Sequence, residues 1–467
     1  MKKNLFLSAF SIAALLFLGS CSNEPASSFS VTTENDENTP IFITPDKGFS
    51  ITYTAENMKA VTAENLPEGW SATVNDAEKS ITVTATADAE SNATITVSAT
   101  GLDSKTYKSE LKFYCLNSFD NPNGTFVLNE GNMTTENGSL TYITPEGYVV
   151  DDAYKTVNGT ELGNVAQDMS VCNGKIYVIA QNGNENPNGT KFENDGMLVV
   201  MDAKTLKKVQ AFSKEELAVL DWPTHIAALD NQHIFIRDNE GIYRFNAETK
   251  ELTFVEGTEG APKSQFIVMN GNAYTYKTGM LGGILALSTE SDKATKTSFP
   301  FSIKYDINET LGIRAAEDGK IWVLGFGFGK TSISKFNLSN REMEQRLISV
   351  KPAVGSSGVS FVANGNTLYY ADGTALYRYN FTAEEENAEE WLVDLSTLDK
   401  NAKLLYNGLG VHPQTGKVYV NTLKSTALYN ENAIWVFDFN ASKDAPEAKY
   451  ENYTNFPAGF YFPQNQH

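Results

Sequence analysis

The chain has 467 residues, 41% of them hydrophobic and 20% charged, and 37 basic against 57 acidic side chains give it a formal net charge of −20. Such a length exceeds one ordinary core of about 100–200 residues and requires at least two domains, while the acidic balance excludes the basic footprint with which nucleic-acid binders displace counterions. A polytopic membrane protein is excluded too, because a single N-terminal stretch approaches the length and apolarity of a span, and three cysteines with four histidines leave little for a zinc or iron–sulfur centre.

That N-terminal stretch has the order of a secretory signal: Lys2 and Lys3, an apolar run over 5–18, then Gly19, Ser20 and Cys21. The run is short for a spanning helix, so residues 1–20 are read as a signal peptide. Leu18-Gly19-Ser20-Cys21 resembles the lipobox of bacterial lipoproteins, which implies that Cys21 becomes the lipid-bearing first residue of the mature chain. The alternative is a plain signal with a chance cysteine. Residues 21–30, polar and serine-rich, read as a tether. The expectation is a chain held to the outer membrane by its lipid alone, at the cell surface. Surface-exported lipoproteins carry acids just after the cysteine, and only Glu24 answers that description, so outer leaflet and periplasmic face both stay open.

Residues 31–116 alternate with period two, as in Phe49-Ser50-Ile51-Thr52-Tyr53-Thr54 and Ala93-Thr94-Ile95-Thr96-Val97-Ser98, and this predicts a small β-sandwich. Leu66-Pro67-Glu68-Gly69-Trp70 resembles segments of immunoglobulin-like modules in surface lipoproteins. A spacer role is expected for this module, with Trp70 as a core aromatic rather than a sugar platform.

From residue 120 to 467 one unit recurs: Gly174-Lys175-Ile176-Tyr177-Val178, Gln232-His233-Ile234-Phe235-Ile236, Gly271-Asn272-Ala273-Tyr274-Thr275, Gly319-Lys320-Ile321-Trp322-Val323, Asn366-Thr367-Leu368-Tyr369-Tyr370 and Gly416-Lys417-Val418-Tyr419-Val420, with Gly124-Thr125-Phe126-Val127-Leu128 as a seventh. The copies are 39 to 58 residues apart, the period of propeller blades. Inner strands are predicted just before the signatures, at 168–172, 226–229, 266–269, 313–316, 359–363 and 408–412. The first signature has only a linker upstream, so Gly459-Phe460-Tyr461-Phe462 is expected to supply its inner strand from the far end of the chain. The predicted fold is therefore all-β: an immunoglobulin-like sandwich, then a seven-bladed β-propeller closed by the C-terminal strand.

Catalytic residue sets are sparse. The histidines are His225, His233, His412 and His467, and only His225 precedes an inner strand where it would face the central opening. The glycine-rich stretch 325–330 lacks the phosphate-cradling Gly-Lys-Ser/Thr pattern and reads as a loop with two exposed aromatics, Phe326 and Phe328. The Asn- and acid-rich stretch 182–195 lacks the ordered spacing of a calcium loop. Cys115 and Cys172 are open between a disulfide and two buried thiols. In a propeller the loops leading into the inner strands and those between second and third strands share one face. That face gathers Glu130, Asn132, Gln167, Gln181, Trp222 and His225, and further round it Tyr276, Phe326, Phe328, Tyr406, Asn407 and Lys424. Flat aromatics beside amides suit a large, rigid, polar organic ligand. No cofactor and no metal is expected.

Val127-Leu128-Asn129-Glu130-Gly131-Asn132 and Leu162-Gly163-Asn164-Val165-Ala166-Gln167-Asp168-Met169 resemble the opening blade of bacterial lipoprotein propellers similar to the YVTN-type seven-bladed repeats. Gly408-Leu409-Gly410-Val411-His412-Pro413 resembles their last blade, whereas Pro457-Ala458-Gly459-Phe460 departs from the closing strand of the pattern. Some members bind cobalamin at the cell surface and hand it to a TonB-dependent outer-membrane transporter. The resemblance implies a binding protein for a corrinoid or another scarce small molecule, partnered by such a transporter. A surface glycan-binding or adhesion protein is the alternative. An enzyme would need His, Asp or Glu from several blades at one pocket.

Overall fold

The computed structural model describes residues 25–33, 39–45, 47–279, 281–301, 303–355 and 358–463; the segment read as a signal peptide, Cys21 and His467 lie outside the described residues. The chain divides into two compact units, Met1–Phe119 and Asp120–His467.

In the first unit, period-two alternation places Ile51, Tyr53, Ile81, Val83, Ile95, Val97 and Phe113 in one core. Two four-stranded sheets share that core. One runs in the order Ser28–Thr32, Phe49–Glu56, Ser80–Ala85, Trp70–Asn75; the other runs Ile41–Ile43, Thr106–Cys115, Asn92–Gly101, Met58–Glu64. Trp70 is a core residue, its Nε1 donating to the Glu90 carbonyl at 2.9 Å and its ring 5.9 Å from that of Phe113. The first strand begins inside the stretch read as tether, because Phe29 buries its ring 5.8 Å from Tyr53.

The second unit contains seven antiparallel four-stranded sheets among the described residues. Six open with the inner strands Asn164–Cys172, His225–Ala228, Ile267–Met269, Glu309–Ala315, Phe361–Asn364 and Leu404–Val411. Each pairs with a signature strand: Lys175–Gly183, Ile234–Arg237, Asn272–Lys277, Ile321–Gly327, Thr367–Asp372 and Val418–Leu423. Local chemistry sets the turns. Asn173-Gly174 and Asn270-Gly271 carry positive φ at both positions, which the two-residue hairpin joining first and second strands demands. Third strands end in or just before Asp202, Asn246, Asn337, Asn380 and Asp438, whose side chains accept backbone N–H groups two or three residues on, at 2.8–3.1 Å.

The remaining sheet draws on both ends of this unit: Val149–Val150, Ser139–Ile143 and Thr125–Asn129, with Pro457–Tyr461 as the fourth strand. Phe460 lies opposite Val127 and Tyr461 opposite Phe126, after an irregularity between Pro457 and Gly459. Apolar clusters join neighbouring sheets. Val127, Ile143 and Phe460 pack on Tyr419, Ile434 and Val436, so the last sheet meets the first. Between the first and second sheets Gly138 N–H donates to Gly163 O at 3.1 Å, and Asn164 Nδ2 donates to Glu136 O at 2.6 Å. The arrangement is propeller-like.

Two local features differ from the sequence reading. Residues 325–327 finish the strand Ile321–Gly327, and the turn itself is only Phe328 and Gly329 before Lys330–Phe336 begins. Short helices at Ala153–Asn158, Glu385–Ala388 and Leu395–Leu398 escape periodicity because each is two turns or less.

Removing residues after Phe456 strips Thr125–Asn129 of one of its two partner strands and exposes the cluster that holds the last sheet on the first. The shortened chain is expected to lose the cooperative unfolding transition of the second unit. In the intact chain, Phe460→Ala is expected to lower stability by about 3 kcal/mol in urea unfolding.

Candidate functional site

One cavity of about 330 Å³ receives residues from all seven sheets, among them Val171, Ile226, Val268, Ala315, Val362, Val411 and Phe462. Most of its lining side chains are apolar, while backbone groups of the inner strands leave about as much polar as apolar surface. The exceptions gather at Asp168, Ser170, Gln265, Arg314 and Tyr461. Asp168, at a bulge of Asn164–Cys172, accepts from Tyr461 Oη at 2.6 Å, Met169 N at 3.0 Å, Ile226 N at 3.1 Å, His225 Nδ1 at 3.2 Å and Gln265 Nε2 at 3.5 Å. Burial, followed by the charge of Asp168, pushes the Tyr461 phenol well above its ordinary value, so that it stays a donor.

The twelve residues read as a ligand face do not line this cavity. Some are structural. His225 is fully buried with Nε2 unpartnered, Tyr276 is buried and hydrogen-bonded with Ser264, and Gln167 and Gln181 are buried, the latter with its Nε2 unpartnered. Asn132 turns its Oδ1 back on Thr134 N at 3.0 Å. Phe326 is half-buried beneath Lys351, whose Nζ sits 3.8 Å from the ring centroid, and Lys424 is paired with Glu431 at 2.6 Å.

Others do come together. Glu130 accepts from Tyr406 Oη and from Asn407 Nδ2, each at 3.4 Å, and its charge partly offsets the burial that lowers the Lys263 ammonium. Tyr406 packs on Phe456 at 5.3 Å between centroids, and Tyr429 stacks on the same ring at 4.3 Å. Trp222 and Phe328 are exposed, each at positive φ, on the loop into His225–Ala228 and at the turn before Lys330–Phe336. Leu281 at 69% and Phe301 at 89% exposure extend this apolar surface on corresponding loops. Neither belongs to a periodic pattern, and so neither is legible in the sequence.

The stretch 182–195 is organised by its own amides, with Asn182 Nδ2 on Asn164 Oδ1 at 2.8 Å and Asn194 Nδ2 on Asn137 Oδ1 at 2.8 Å. Among the described residues no group of three His, Cys, Asp or Glu side chains could hold a metal. Cys115 and Cys172 are buried free thiols, and Cys172 Sγ donates to Leu229 O at 3.0 Å.

Burial holds the imidazoles of His225 and His412 below their ordinary range, against the pull of Asp168 in the case of His225. A histidine that takes its proton less readily folded than unfolded contributes stability above the ordinary value of about 6.5, and loses it as pH falls through that value. Asp152, pushed up to about 6 by burial, acts in the opposite direction between pH 4 and 6. Urea midpoints are therefore expected to fall more steeply from pH 7.5 to 5 in the native chain than in His225→Gln, and the difference between the two isolates this group.

The solved structures similar to this chain include a quinoprotein alcohol dehydrogenase-like protein from Bacteroides thetaiotaomicron, 16% identical, with a TM-score of 0.57 over 92% of this chain and 97% of that one. A protein from Lactobacillus plantarum matches 73% of this chain and 99% of its own at 10% identity and a TM-score of 0.43. At these identities the likeness of the first extends to fold alone, and the second carries no argument. No curated protein matches the chain. Residues 123–463, almost the whole of the second unit, match the family described as a domain of unknown function, DUF5074, and the chain belongs to that family.

Proposed function

We propose that this chain is a lipid-anchored binding protein of the outer cell surface, an immunoglobulin-like sandwich followed by a seven-bladed β-propeller. Its loop-bearing face takes a corrinoid or a similar scarce nutrient and passes it to a TonB-dependent outer-membrane transporter. The observation that carries the reading is the exposure of Trp222, Leu281, Phe301 and Phe328 on loops at the same edge of their sheets. Large apolar side chains in water on one face are the mark of a surface that something else covers. Glu130, on the loop after Thr125–Asn129, and Tyr406 and Asn407, at the irregular start of Leu404–Val411, add hydrogen-bonding groups. The lipobox-like Leu18-Gly19-Ser20-Cys21 and the opening-blade resemblance support the anchor and the ligand class.

Titration calorimetry of the chain from Ser22 onward with cyanocobalamin and its precursor cobinamide tests the reading. One-to-one binding is expected, weakened at least tenfold, or about 1.4 kcal/mol, in Trp222→Ala. No heat and no shift in melting temperature with either compound overturns the corrinoid reading, and binding of polysaccharides in their place favours glycan capture.

A further inference from the structure

The inner cavity contains a cation without a counter-ion. Arg314, on Glu309–Ala315, lines it beside Phe361, whose ring centroid lies 5.6 Å from the guanidinium carbon. Its hydrogen bond to protein runs from Nη1 to the Ile313 carbonyl at 2.7 Å, and Nη2 is buried with no partner. Among the described residues no carboxylate forms an ion pair with it. Burial lowers this guanidinium to about 10, and its electrostatic interactions with Tyr276, Asp168 and Tyr461 oppose that only in part. The chain has 20 more acids than bases, yet the one carboxylate lining the cavity, Asp168, is already met by five donors. Arg314 is partly buried, and its Nη2, shielded from water with no acceptor, is costly until an anion meets it.

We propose that the inner cavity binds a small carboxylate with an apolar body, the carboxylate on Arg314 and the body against Ile226, Phe266, Leu409 and Phe460. The planar fork of arginine matches a carboxylate in two parallel hydrogen bonds. The mostly apolar lining side chains favour an anion with an apolar body over a bare inorganic ion, which would surrender hydration for a single charge. A volume of about 330 Å³ lies at the small end of the roughly 300–1,000 Å³ of ligand sites, which excludes a corrinoid here and keeps this site separate from the loop face.

Phenylacetate is the probe, with the neutral phenylacetamide and with sodium sulfate as comparators. The chain from Ser22 onward is titrated calorimetrically and followed by thermal unfolding. Phenylacetate is expected to bind and to raise the melting temperature, the amide to bind at least tenfold more weakly, and sulfate to give no saturable binding. Arg314→Met is expected to lose phenylacetate binding at least tenfold while melting no lower than the native chain without ligand, because it removes an unpaired buried charge. Crystals grown with 4-bromophenylacetate, independent of any variant, are expected to show anomalous bromine signal in the inner cavity. Equal binding of acid and amide, binding of sulfate alone, bromine confined to the loop face, or Arg314→Met melting far below the native chain with no carboxylate effect would each overturn the proposal. Failure of corrinoid binding leaves it unaffected.

Discussion

The second unit depends on one antiparallel pairing, between Pro457–Tyr461 and Thr125–Asn129. Without it the first sheet has three strands and an open edge, and an unpaired edge is a template for pairing with another chain. The same pairing brings Phe460 against Tyr419, their ring centroids 5.7 Å apart, and so ties the last sheet to the first. It also delivers Tyr461 Oη to Asp168, 293 positions away in sequence. Closure and the polar end of the cavity are thus consequences of a single contact between distant segments.

Asp168 is the second organising point. A carboxylate that accepts from two backbone N–H groups, a phenol, an imidazole and an amide is stable in a setting of low dielectric because its charge is spread over many donors. That arrangement fixes His225 in the tautomer protonated on Nδ1 and ties the second inner strand to the third through Ile226 N. It also consumes the negative charge that would otherwise pair with Arg314. The cavity lining therefore carries one carboxylate and one guanidinium that share no hydrogen bond, among side chains of valine, isoleucine, leucine and phenylalanine.

The two ends of the inner strands differ in character. At one edge lie the exposed Trp222, Leu281, Phe301 and Phe328, on loops into inner strands and on connections between second and third strands. Toward the other, tight hairpins such as Asn173-Gly174 and Asn270-Gly271 leave little room beyond the strand ends, and the cavity is bounded by Val171, Val268, Ala315, Ala363 and Val411.

The sequence by itself determined the strands. Alternation in Phe49–Glu56 and Asn92–Gly101, and the recurring Gly-Lys-Ile-Tyr-Val unit, are local signals set by a period of two and by turn residues with positive φ. Even the closing strand was legible, because six inner strands and seven signatures left one position to fill. The candidate site was legible only in part. Glu130, Tyr406 and Asn407 meet as their loop positions suggested, while Gln167, Gln181, His225 and Tyr276 turned inward, because a polar residue beside a strand end carries no mark of which neighbour will satisfy it. Only the tertiary structure decided that Asp168 collects its donors from three strands and one adjoining loop, and that no carboxylate reaches Arg314. Pairing of buried charges depends on which segments a fold brings within a few ångströms, and no local pattern encodes that distance.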